Sequence, residues 1–190
     1  QYADLRQLPQ IADKKKAAEF EALRKELNEL KQIDYERVND AKTDYLRIIF
    51  QQEGEQVMKT LDFKQFLKDN EHWLVPYAQY CYLRDTFGNV DFSTWKGHET
   101  WHEQDRGTLL NPRSKEFNNV AFYYYVQFVL NNQMRGAHEY AMARGVILKG
   151  DIPIGVNRNG CDVWHEPQYF NLNSQAGAPP DGFSVNGQNW

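Results

Sequence analysis

The chain lacks the features that mark several classes of protein. It carries 22 Lys and Arg against 26 Asp and Glu, a net charge of −4, so it offers no basic surface to a phosphate backbone and we expect no nucleic acid partner. No apolar run reaches the length of about 18 residues that a membrane-spanning helix needs, and the first residues show no signal-peptide pattern. These absences predict a cytoplasmic protein with no membrane partner.

Cysteine is scarce as well, and the chain is short. The two thiols, Cys81 and Cys161, lie far apart in unlike sequence surroundings, which predicts free thiols but leaves a single pair open. With 190 residues the chain is too short for a complete (β/α)8 barrel, which needs about 250 residues. It does hold 11 Phe, 11 Tyr and 5 Trp, and so many large rings predict a folded chain.

The spacing of apolar residues in the first half predicts helices. Apolar side chains recur at three- and four-residue steps from about residue 11 to 31, and again from Asp34, a predicted N-cap, to Gly54, which is predicted to end the second helix. These two helices are expected to pair antiparallel. A third helix is predicted to begin at Asp62 and to end at Asn70, and a separate, buried helix is predicted over residues 72–87.

The second half of the chain predicts one more long helix and a strand. Residues 88–113 are typical of a loop with short helical pieces, and Ser114 caps a helix that closes at Gly145. The apolar run over residues 146–156 that follows directly predicts a strand, so that helix and strand form half of an α/β unit. Residues 157–190 predict a long loop. The fold class expected from this order is mainly α.

One short motif offers chemistry of its own. His98-Glu99-Thr100-Trp101-His102 fits the H-E-x-x-H spacing, which on a helix places two imidazoles on one face to bind zinc, with the Glu as a base. Its polar flanks favour a solvated loop. A zinc hydrolase therefore stays an alternative hypothesis rather than the favoured one.

The loop after the predicted strand has a composition that suits a sugar. Flat rings stack on pyranose faces, and amides and carboxylates bond to hydroxyls. In a β/α barrel, such loops also build the substrate site. The rings are those of Trp164, Tyr169, Phe170, Phe183 and Trp190, and the polar groups are those of Asn157, Asn159, Asp162, Asp181 and Gln188.

Four sequence blocks near the end of the chain carry a resemblance to a known family. They are KGDIPIGV from residue 149, DVW from 162, GAPPD from 177 and GQNW from 187. In this order they resemble the amylomaltases, the 4-alpha-glucanotransferases of glycoside hydrolase family 77. Earlier blocks, FKQFL from 63, WL from 73, PYA from 76 and LRD from 83, resemble the helical insertion of the plant cytosolic disproportionating enzymes and their bacterial relatives.

The resemblance implies a fold and an activity. Residues 1–145 would form a helical insertion subdomain, with a barrel helix at about 114–145, and residues 146–190 would supply one strand and the substrate-cleft loop of an incomplete (β/α)8 barrel. The activity would be retaining transfer of α-1,4-glucan segments to glucose or glucan acceptors, which needs two carboxyl groups and no cofactor or metal. In the family these carboxylates follow later barrel strands, so no catalytic residue is expected here and the piece alone is expected to be inactive.

The resemblance also implies where a maltooligosaccharide or α-glucan would bind. The expected contacts are Asn159, Trp164, Asp181, Gln188 and Trp190. Many amylomaltases carry Asp at the position of Asn159, so an uncharged amide replaces a carboxylate here. A lone strand has unpaired edges, so the strand segment is expected to fray, to fold onto the helices or to pair with a second copy in a homodimer. A non-catalytic helical module that binds glucan or another partner remains an alternative.

Overall fold

The computed structural model describes residues 2–153 and 155–189 and is mainly helical, as predicted. Its α-helices in this described part are α1 (Lys14–Glu29), α2 (Tyr35–Lys59), α3 (Leu61–Phe87), α4 (Arg106–Leu110), α5 (Lys115–Met142) and α6 (Cys161–His165). Two short strands, β1 (Gly177–Ala178) and β2 (Gln188–Asn189), pair antiparallel. None of the helices in the described ranges is long and apolar enough to cross a membrane.

The chain divides into two compact units that each use separate stretches of sequence. The first unit holds the residues up to 71 together with 121–147, and the second holds 72–120 together with 148–190. Because the division falls within α3 and within α5, both helices contribute to both units. The family resemblance implies a different boundary, at residue 145, and that boundary stays a prediction.

Local capping explains where the long helices begin. Asp34 and Ser114 are the N-caps that the sequence predicts, since each side chain accepts a hydrogen bond from the amide three residues further on, at 3.0 Å and 2.9 Å. The third helix begins earlier than expected. Thr60, rather than Asp62, caps it through a bond of 3.2 Å from the amide of Phe63 to the Thr60 hydroxyl.

Two predicted helix ends are wrong, and in both cases the residue makes a contact one turn back within its own helix. α2 passes through Gly54, which is buried, and a Cβ at this position would collide with the ring of Phe50. α3 runs without a break past Asn70 and Pro76. The Asn70 amide donates a hydrogen bond of 2.8 Å to the carbonyl of Phe66, so this Asn stays within the helix.

The core of the first unit joins the N-terminal segment to α2 and α5. Phe20 of α1 packs on Tyr45 of α2, with 4.6 Å between ring centroids. The hydroxyls of two core tyrosines are satisfied, Tyr45 by the carbonyl of Pro9 at 2.8 Å and Tyr125 by the carboxylate of Glu53 at 2.6 Å. The buried members of this core are Ile11, Tyr45, Ile49, Tyr125 and Val129.

The predicted strand over residues 146–156 is the main difference from the sequence prediction. The described residues 146–153 and 155–156 form no strand. Ile147 and Ile152 are more than 80% exposed. A strand needs a neighbour for its backbone N–H and C=O groups, and no described segment pairs with this run. Gly145 nonetheless has the predicted left-handed backbone, with φ of 71°, beyond the end of α5.

Candidate functional site

An open pocket of about 890 Å³ lies in the second unit. Its walls are the segments 155–158 and 169–172, and residues 174–176 extend the second wall. Pro153 and Asp162 complete the lining. Small-ligand sites are concave and of comparable volume, so this open pocket is a candidate site.

The pocket brings together four of the side chains that the sequence predicts for a sugar. Asn157 and Asp162 present an amide and a carboxylate, and Tyr169 and Phe170 present rings. Tyr169 is 72% exposed, so most of its ring is open to a ligand. Together they supply flat apolar surface and groups that bond to hydroxyls in one cavity.

The turn that leads into α6 contributes Asn157 and Arg158 to the lining of the pocket. The Asn157 side chain accepts a hydrogen bond of 3.0 Å from the amide of Asn159, and the Asn157 carbonyl accepts one of 2.8 Å from the amide of Gly160. Asn159 itself is not among the lining residues. Its carbonyl accepts a hydrogen bond from the Tyr80 hydroxyl, so the backbone of this predicted contact residue is tied to α3.

Trp164 lies in the core and not on an open surface, which corrects the expectation that its ring lines a glucan groove. Its exposed fraction is 1%. The rings of Tyr80, Trp95 and Trp101 lie around it, with centroids 5.9 Å, 6.1 Å and 5.9 Å away. Its indole N–H donates a hydrogen bond of 2.9 Å to the carbonyl of His98. A tryptophan enclosed in this way has no free face on which a sugar can stack.

The other expected contacts lie in and around the β1–β2 hairpin. One carboxylate oxygen of Asp181 accepts hydrogen bonds of 2.8 Å from the amides of Phe183 and Ser184, so this oxygen closes the connecting turn. Gln188 is exposed and pairs with Ala178 in the hairpin. Neither Asp181 nor Gln188 is among the residues that line the pocket. Trp190 lies outside the described residues.

The structure contradicts the zinc alternative in its geometry. Residues 98–102 lie in irregular backbone between two 3-10 turns, Phe92–Thr94 and Glu103–Asp105, so His98 and His102 do not share the face of a helix. Within residues 2–153 and 155–189, no cluster of three or more His, Cys, Asp or Glu side chains is placed to hold a metal ion.

The two cysteines are free, as predicted. Their surroundings in the fold are similar, because burial acts on both thiols. Burial raises the pKa of the Cys81 thiol and that of the Cys161 thiol, and the nearby Cys81 raises the pKa of Cys161 further. Burial also raises the pKa of Tyr77, which both thiols influence in the same direction. Neutral thiols are poor nucleophiles. The pair therefore shows no sign of catalytic activation.

Sequence reasoning missed Arg158. Its Nη1 donates a hydrogen bond of 2.5 Å to the carbonyl of Leu172, and both residues line the pocket. An arginine between two asparagines in a loop carries no signal that separates it from a solvated side chain. Only the fold of residues 157–172 brings it to the opposite wall.

Comparison with known proteins identifies the family. The sequence model of glycoside hydrolase family 77, described as 4-alpha-glucanotransferase, matches residues 1–190. Rice 4-alpha-glucanotransferase DPE2 is 41% identical over 172 residues, which are 90% of this chain and 18% of that protein. The Chlamydia muridarum 4-alpha-glucanotransferase is 30% identical over 165 residues, which are 86% of this chain and 31% of that protein.

A solved structure is similar in fold. The amylomaltase from Streptococcus agalactiae, determined in complex with acarbose, superposes with a TM-score of 0.68 at 22% identity, over 90% of this chain and 38% of that chain. This chain therefore spans about a fifth to two fifths of the length of these relatives. Because the family model covers all 190 positions, the chain belongs to the 4-alpha-glucanotransferases of glycoside hydrolase family 77.

Proposed function

We propose that the chain is part of a 4-alpha-glucanotransferase and supplies a glucan-binding pocket, not the catalytic carboxylates. The complete protein transfers α-1,4-glucan segments to glucose or to glucan acceptors with retention of configuration. Family membership supports the activity. The lining of the pocket supports a role of this chain in binding, with the catalytic carboxylates elsewhere in the protein. Retaining transfer needs two carboxyl groups about 5 to 5.5 Å apart. Asp162 is the one carboxylate among the described lining residues, so the pocket lacks such a pair.

The pocket is suited to an uncharged, hydroxyl-rich ligand. The exposed face of Tyr169 and the ring of Phe170 offer stacking surface, and the Asn157 amide both donates and accepts hydrogen bonds. The related Streptococcus agalactiae amylomaltase was solved with acarbose, and we propose a maltooligosaccharide or α-glucan as the ligand of this chain.

We also propose the placement that the family resemblance implies. Residues 146–156 form a barrel strand when the neighbouring strands of the complete protein are present. The exposed side chains of Ile147 and Ile152 support this placement, because apolar residues of a parallel barrel strand are normally covered on both faces. A homodimer through this segment and a cytoplasmic location, with starch or maltose as the source of glucan, remain part of the proposal.

Titration with maltooligosaccharides tests the pocket. Tyr169→Ala is expected to weaken binding by about tenfold, because stacking on one ring contributes about 0.5 to 1.5 kcal/mol beyond the buried area. Tyr35→Ala is the matched control, since Tyr35 is 71% exposed against 72% for Tyr169 and lies in the first unit. Equal affinities of the two variants would contradict the pocket assignment.

Product analysis tests the activity. With maltotriose, the complete protein is expected to form shorter and longer oligosaccharides, and the 190-residue chain alone is expected to form none. Transfer by the chain alone would overturn the proposal that the catalytic carboxylates lie outside this chain. Glucan binding without transfer by the complete protein would instead support the alternative of a non-catalytic binding module.

A further inference from the structure

Arg158 connects the two walls of the pocket. Its guanidinium bonds to the Leu172 carbonyl across fourteen residues of sequence. In the described part of the chain, no other hydrogen bond links the wall 155–158 to the wall 169–176. Among the described residues, this is therefore the one hydrogen bond that acts directly on the relative position of the two walls.

The two ends of this connection differ in how firmly they are held. The Arg158 end lies in the turn that Asn157 closes, and the Tyr80 hydroxyl fixes the neighbouring Asn159 to α3. The other end is less regular. Residues 171–176 have no helical structure or strand, and Asn173 bonds only within its own turn, to the side chain of Asn171. The start of this wall is held by a 3-10 turn, in which the amides of Tyr169 and Phe170 donate hydrogen bonds of 3.2 Å and 3.1 Å to the carbonyls of Glu166 and Pro167. Arg158 therefore acts on the less regular part that follows, at Leu172.

We propose that Arg158 is a positioning residue for the glucan. Its bond to Leu172 holds the segment 169–172 so that the rings of Tyr169 and Phe170 face a sugar bound against Asn157. A guanidinium has five N–H donors, so Arg158 can hold the carbonyl and still offer donors toward the cavity that it lines. This inference rests on the proposed function, because it assigns the pocket to the same substrate.

The expected signature is a change in KM and not in kcat. A residue that shapes the binding surface acts equally on the bound substrate and on the transition state, so its loss lowers affinity without slowing the chemical step. Arg158→Gln in the complete protein is expected to raise KM for maltotriose by about tenfold, which corresponds to the loss of one charge-assisted hydrogen bond. Arg158→Lys keeps a donor and is expected to recover part of this loss.

The control is Arg113→Gln, since Arg113 is an exposed arginine of the same unit and lies outside the pocket. Hydrogen exchange supplies a readout that does not depend on activity. The amides of residues 169–176 are expected to exchange faster in Arg158→Gln than in the control. An unchanged KM together with unchanged exchange would overturn the proposal, and so would a fall in kcat at constant KM.

The exchange measurement separates this inference from the proposed function. If the complete protein does not transfer glucan, the proposed function fails, whereas faster exchange of residues 169–176 in Arg158→Gln would still show that Arg158 holds this wall. If transfer is observed and Arg158→Gln leaves both KM and exchange unchanged, the proposed function stands and the role of Arg158 is refuted.

Discussion

Trp164→Phe separates a structural tryptophan from a ligand-binding one. The phenyl ring keeps part of the contact with Tyr80, Trp95 and Trp101 but leaves a cavity and removes the indole N–H. The carbonyl of His98 then loses its donor. We expect a loss of about 1 to 3 kcal/mol in the free energy of unfolding, and about 3 to 5 kcal/mol for Trp164→Ala.

Urea denaturation followed by circular dichroism measures these changes without relying on tryptophan fluorescence. The larger loss is a substantial share of the stability of an ordinary domain, which is about 5 to 15 kcal/mol, so Trp164→Phe is the informative variant. Trp73→Phe is the matched control, because Trp73 is 38% exposed and its replacement removes less buried surface. Unchanged stability of Trp164→Phe together with weaker maltooligosaccharide binding would show that the ring faces the ligand and would refute this account.

Two further predictions concern groups buried in the two units. Because burial raises the pKa of Cys81 and Cys161, both should react slowly with a thiol reagent at pH 8 in the native state and quickly in urea. Because both thiols ionise at higher pH in the native state than in the unfolded state, stability should fall as pH rises above about 8.5, the usual pKa of a thiol. Equal labelling rates in both states would contradict the prediction. Gly54→Ala should lower the unfolding midpoint, although alanine is the better helix former, because the new methyl group displaces the ring of Phe50. Gly136→Ala, where no atom lies near the new methyl group, should raise the midpoint, and stabilisation by both substitutions would show that the Gly54 contact is unimportant.

Local chemistry made part of the fold predictable. Asp34 and Ser114 act as N-caps because a cap depends on one side chain and an amide three residues away. Gly54 and Asn70 are not helix ends, although their residue types favour that prediction. The ring of Phe50 lies where a Cβ of residue 54 would be, and the Asn70 amide bonds to the carbonyl of Phe66 one turn back. Such contacts are not visible in residue propensities.

For the candidate site as well, the sequence predicts the types of residue but not their positions in the fold. Composition identified Asn157, Asp162, Tyr169 and Phe170 as suited to a sugar, and the fold gathers all four around one pocket. Composition does not show which ring is enclosed by others. The sequence therefore predicts Trp164 as a glucan contact, although its ring lies in the core. The predicted strand over residues 146–156 failed for a different reason, since pairing depends on segments that the described residues do not supply.

Replacement of the carboxylate in the pocket tests the central claim most directly. The claim is that this part of the protein binds glucan and that catalysis is performed elsewhere. Asp162→Asn in the complete protein, assayed with maltotriose, is expected to lower kcat by less than about tenfold, because the amide still bonds to hydroxyls while no acid, base or nucleophile is lost. A fall in kcat of about a thousandfold or more, with the fold intact, would make Asp162 a catalytic carboxylate and contradict the account.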